Sequence, residues 1–100
     1  MNNFILTPAA DEDINEIWDY IARDNIEAAD RVVDALEAAF RLLAVGPTLG
    51  HYREDLADKR HRFHPVYSYL IVYRWETRPL QIIRVLHGAR DVRSLLADSD

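Results

Sequence analysis

The chain has no cysteine, so disulfides, thiolate metal sites and a cysteine nucleophile are all excluded. A cysteine-free chain suits a reducing compartment. Glycine is scarce as well: the three residues, Gly46, Gly50 and Gly88, are too far apart to build a phosphate-cradling loop or a nucleotide fingerprint. Long apolar runs are missing. The longest, Tyr69-Leu70-Ile71-Val72-Tyr73, is far too short to cross a bilayer. The opening Met1-Asn2-Asn3-Phe4 lacks the basic and apolar stretches of a secretory leader, so a protein acting in the cytoplasm is expected. No repeat, linker or low-complexity stretch interrupts the 100 residues, and one domain is expected over 1–100.

What is present is the balance of a folded protein, with 49% hydrophobic and 29% charged residues. The net charge of −5 is unevenly distributed. Residues 1–50 hold three Arg against ten Asp and Glu, a net of −7. Residues 51–93 hold nine Lys and Arg against five Asp and Glu, a net of +4, together with the four histidines. Two further Asp close the chain. One reading is two solvated surfaces of opposite sign. The other is a basic face for an anionic partner, either nucleic acid or an acidic protein segment.

Periodicity assigns the elements. Phe4-Ile5-Leu6 reads as a strand ending at Thr7-Pro8, where Thr is a good N-cap and Pro suits the first helical position. Asp11, Glu12 and Asp13 follow where the helix dipole favours anions, and are read as solvated. Ile14, Ile17, Trp18 and Ile21 make one apolar stripe, which predicts a helix over about 8–24. Trp18 within that stripe is expected to be a core residue whose truncation costs roughly 3–5 kcal/mol. Asp24 or Asn25 caps a second helix with an apolar face of Val32, Val33, Leu36, Ala39, Phe40 and Leu43, stopped by Gly46-Pro47. Residues 47–60 read as loop. His61-Arg62-Phe63-His64, Tyr67–Trp75 and Leu80–His87 then read as three strands, the middle one buried on both faces, with a turn at 76–79. Asp91 could cap a last short helix carrying Val92, Leu95 and Leu96. The order is β-α-α-β-β-β-α: an α+β fold in which an N-terminal helical hairpin packs on a small antiparallel sheet.

The local segments have a family likeness. Thr7-Pro8-Ala9-Ala10-Asp11-Glu12-Asp13-Ile14 with Ile17-Trp18-Asp19-Tyr20-Ile21 is similar to the first helix of ParE toxins. Ala28-Ala29-Asp30-Arg31, Ala39-Phe40 and Leu43 through Gly50 resemble the second helix and the loop after it. Arg60-His61-Arg62-Phe63, Tyr69 through Arg74 and Ile83 through Asp91 resemble the later strands. Nearly the whole chain thus resembles the RelE/ParE superfamily, closer to its ParE branch. That resemblance implies the toxin of a type II toxin–antitoxin pair, bound by a cognate antitoxin in a hetero-oligomer. It implies no cofactor, no membrane partner, and no specific DNA binding except through the antitoxin.

Two mechanisms occur in the superfamily: ribosome-dependent cleavage of messenger RNA, and poisoning of DNA gyrase with no hydrolytic site attributed. A nuclease needs a base, an acid, and cations for the phosphorane charge. Many RelE-like enzymes carry a functional Tyr soon after the last strand, and Asp91-Val92-Arg93-Ser94-Leu95-Leu96 has none. Gyrase binding is therefore the favoured expectation, with Arg60, Arg62, Arg84, His87 and Arg90 as target-binding candidates on an electropositive sheet face. A ribonuclease and a non-toxic member acting only with its antitoxin are the alternatives. Gly88 and Asp91 are read as turn and cap. His51, His61 and His64 lack metal-ligand spacing with acidic partners.

Overall fold

The computed structural model describes residues 3–53 and 59–88. Strand β1 (Phe4–Leu6) leads into helix α1 (Pro8–Ala22), followed by helix α2 (Ile26–Val45) and a short 3₁₀ turn at Pro47–Leu49. Strands β2 (His61–Val66), β3 (Tyr69–Arg74) and β4 (Leu80–His87) complete the sheet, whose order is β1-β4-β3-β2. The closing helix expected around Asp91 lies outside the described residues.

Both helix starts are set by the residues named from sequence. Thr7 has extended backbone and its hydroxyl accepts the Ala10 N–H, with Pro8 in the first turn. Asn25, rather than Asp24, caps α2 by accepting the Ala28 N–H. Helix α1 stops at Ala22, slightly short of the expected end.

The three later strands are antiparallel neighbours, as expected. The first strand corrects the picture: β1 lies parallel to β4, pairing Phe4 with Leu80 and Leu6 with Ile82, so the sheet is mixed. A parallel neighbour needs a long crossover, and the helical hairpin supplies it. One irregularity sits in β4. Tyr73 pairs with Ile82 but Val72 with Arg84, which leaves Ile83 as the extra residue of a bulge. Beyond the bulge Val85 stands opposite Ile71 on the helix-facing side.

The core lies between hairpin and sheet. Leu36, Phe40 and Leu43 of α2 and Ile17 of α1 pack with Ile71, Tyr73, Leu80, Ile82 and Val85. Phe4 tilts against Phe40 at 5.4 Å between ring centroids. Leu70, Ile71, Val72 and Tyr73 are all buried, so β3 is covered on both faces as its apolar run predicts.

Trp18 departs from expectation. It is half-buried, and its indole N–H donates to the Asp30 carboxylate at 2.8 Å, tying α1 to α2 near the surface. The stripe's core members are Ala10, Ile17 and the partly buried Ile14 and Ile21. Trp18→Ala should therefore cost about 1–2 kcal/mol, one hydrogen bond with some packing, rather than the loss of a core residue. A thermal melt beside the wild type checks this.

Candidate functional site

Strand β1 ends at Leu6 while β4 runs on to His87, so among the described residues no strand flanks the outer side of the second half of β4. An open edge exposes backbone polar groups that need partners. Two residues near the start of α1 supply them. The Thr7 hydroxyl donates to the Ile83 carbonyl at 2.7 Å. Asp13, only 7% exposed, accepts the Val85 N–H at 2.9 Å. The same carboxylate takes both arms of Arg84, from Nε at 2.7 Å and from the second terminal nitrogen at 2.8 Å. Hydrogen bonding to Asp13 raises the Arg84 pKa above its ordinary value, although burial works the other way. Asp13 was expected to be a solvated helix-dipole partner. It faces inward because it shares a helix face with Ala10 and Ile17, the other buried residues of α1.

Above this knot a cleft of about 420 Å³ opens between α1 and the end of β4. Ile17, Glu16 and Tyr20 line it from the helix, Val85, Leu86 and His87 from β4, and Tyr69 from β3. His87 stands edge-on to the Tyr69 ring at 5.3 Å. Burial, with a smaller contribution from the neighbouring Tyr20, pushes the Tyr69 phenol above its ordinary pKa. Tyr20 itself is 72% exposed.

A second constellation surrounds Arg62. Its guanidinium sits in the corner made by two rings, 4.3 Å from the Tyr52 centroid and 4.6 Å from that of Trp75, the rings standing at 72° to one another. Both are within cation–π range. One terminal nitrogen donates to the Gly50 carbonyl at 2.9 Å. The Trp75 indole N–H donates to the Lys59 carbonyl at 3.1 Å, holding its ring in place. Beside Arg62, the Tyr73 hydroxyl donates to the Pro47 carbonyl at 2.7 Å and accepts the Gly50 N–H at 2.8 Å. Burial raises the Tyr73 pKa, and these two partners keep the phenol satisfied. A Cβ at Gly50 would collide with the Tyr73 ring and hydroxyl, so only glycine fits there. The loop after α2 is thus locked to the sheet by one Arg and one Tyr. Past it, His51 exchanges two backbone hydrogen bonds of 2.8 Å with Phe63, covering part of the outer edge of β2. Pro65 on the same strand offers no N–H.

The residues chosen from sequence therefore separate. Arg62 sits on β2 within the aromatic box, and Arg84 sits on β4 bound to Asp13, with β3 between the two strands. His87 is exposed at the rim of the cleft, and Arg60 is exposed at the start of β2. Arg90 lies outside the described residues. Sequence reasoning missed Asp13, Tyr20 and Tyr69 as site-forming groups. Only Asp13 carried a signal, through its helical spacing from Ile17.

Among the described residues no group of three or more His, Asp or Glu has the arrangement of a metal site. His64 instead offers a pH effect. Burial first, and the proximity of His51 second, lower its pKa from the ordinary 6.5. The folded state thus prefers neutral His64. That contribution is complete above 6.5 and is lost as pH falls through the lowered folded value. Melting temperature should fall between about pH 7 and pH 5, and His64→Gln should flatten that part of the profile.

A family model described as the ParE toxin of the type II toxin–antitoxin system, parDE, matches residues 4–92. Among solved structures, the chain is similar to one described as the chromosomal ParDE TA system from P. aeruginosa. The TM-score is 0.71 at 19% identity, covering 88% of this chain and 97% of that one. At that identity the likeness speaks for the fold. No curated protein sequence matches the chain.

Proposed function

The chain belongs to the ParE toxin family of type II toxin–antitoxin systems, and from that premise we propose that it arrests growth by binding DNA gyrase and is neutralised by a cognate antitoxin. The observation that carries the binding mechanism is the internal commitment of Arg62 and Arg84. A ribonuclease must present cations to a developing phosphorane. Here one guanidinium is held against Tyr52 and Trp75, and the other is chelated by Asp13. The exposed Arg60 and His87, with Arg90 in the C-terminal stretch, are the candidates for contact with the target. Inhibition of this kind needs complementary surface and no reacting group.

The test uses the protein expressed without antitoxin and purified protein added to gyrase. The expected outcome is growth arrest with accumulation of cleaved DNA–gyrase complexes and intact transcripts. Cut transcripts without cleaved DNA would replace this reading with the ribonuclease. Normal growth at full expression would leave a member that acts only with its antitoxin.

An antitoxin partner has apolar surface to cover. Leu42, Val45 and Leu49 are 52%, 83% and 50% exposed at the end of α2 and the turn after it. A helix or strand laid over such a row is a common mode of peptide capture. Adding the cognate antitoxin at about 100 times its Kd should raise stability by about 2.7 kcal/mol. Val45→Lys should weaken that shift without lowering the melting temperature of the free toxin, since a cation suits the last turn of α2. An unchanged melting temperature on mixing would count against the pairing.

A further inference from the structure

We propose that the cleft between α1 and the end of β4 is a seat for a single arginine or lysine side chain presented by a protein partner. The proposal rests on the reading of the chain as a protein-binding toxin, and it assigns this cleft its chemistry.

The walls are of two kinds. Tyr20 and Tyr69 bring aromatic faces to the cleft, and Glu16 brings a carboxylate. Rings of this type attract a cation by their quadrupole, and a nearby carboxylate completes the pairing. Ile17 and Val85 offer apolar surface for the aliphatic stem of a long side chain. The molecule already uses the same solution elsewhere, holding Arg62 against the rings of Tyr52 and Trp75. Arg84 does not reverse the sign of the site. It is bound to Asp13. Among the groups lining the cleft the two carboxylates of Asp13 and Glu16 outnumber the Arg84 guanidinium. That field repels the phosphates of a nucleic acid and favours a basic residue. Tyr20, with 72% of its surface open beside the cleft, is the kind of aromatic that protein interfaces recruit.

The test is an NMR titration of the whole protein with N-acetyl-arginine amide and N-acetyl-lysine amide, with N-acetyl-glutamate amide as the acidic control. Basic probes should shift the Val85, Leu86 and His87 amides in a saturable way, and the acidic probe should not. Glu16→Gln and Tyr20→Ala should each weaken the basic probes by about fivefold or more, the worth of one ring contact or one charge pair. Both side chains are exposed on α1, so the variants are expected to melt like the wild type. Shifts scattered over the acidic helices, affinities unchanged in both variants, or equal binding of the acidic probe would each overturn the proposal. The toxin reading is judged separately by growth arrest and gyrase cleavage. A protein that fails there but still binds the basic probes retains the cleft's chemistry and loses only its proposed context.

Discussion

Asp13→Ala should destabilise the protein by about 3–5 kcal/mol, an unusually large effect for a helix carboxylate in the first turns. Three hydrogen bonds end on this one side chain: two from Arg84 and one from the Val85 backbone. Removing it leaves the Val85 N–H on an open strand edge and strands a guanidinium of which only 17% of the side chain is exposed. An unpaired buried charge is the most costly part of that loss. Two companion variants separate the contributions. Asp13→Asn retains an acceptor for Val85 but weakens the pairing with Arg84, so it should fall between wild type and alanine. Asp13→Ala combined with Arg84→Met removes both charges and should recover part of the deficit, because the cost of the lone guanidinium disappears. Urea unfolding of the four proteins measures this. Equal stability of the double variant and Asp13→Ala would show that the Val85 hydrogen bond, and not the stranded charge, dominates.

The Asp13 knot also shows where sequence reading stops. Local signals were strong: Thr7-Pro8 and Asn25 start the two helices, and alternation and apolar runs mark β2, β3 and β4. These depend on neighbours within a turn or a hairpin. The partner of Asp13 lies 71 residues away, and nothing near either residue announces it. The parallel placement of β1 was hidden for the same reason, since it depends on where the crossover returns the chain. Arg84 read as a free cation because an isolated sequence shows charges and not their partners. The setting of Arg62 was hidden in a related way: Tyr52 and Trp75 approach it from two different segments, and only the fold brings them together.

That distinction makes Arg62 the sharper test of how charge and function relate in this chain. Arg62→Ala should cost about 2–4 kcal/mol, summing contacts with two rings and a charge-assisted hydrogen bond to the Gly50 carbonyl. The estimate is tempered because the Arg62 Nε is buried without a partner, so the site already carries a desolvation cost. Arg62→Lys should restore little, since an ammonium lacks the planar fork that meets both rings while reaching the carbonyl. The signature is local as well as global. Trp75 should shift its emission to the red as the box opens, and amides of the loop around Gly50 should lose protection against exchange. If Arg62 were chiefly a target contact, alanine would reduce gyrase binding while leaving melting and Trp75 emission unchanged. The geometry predicts the reverse order: stability and emission change first, and toxicity falls only in proportion to the folded population. Should Arg62→Ala melt like the wild type and still abolish gyrase binding, the box would be a docking surface and not a lock.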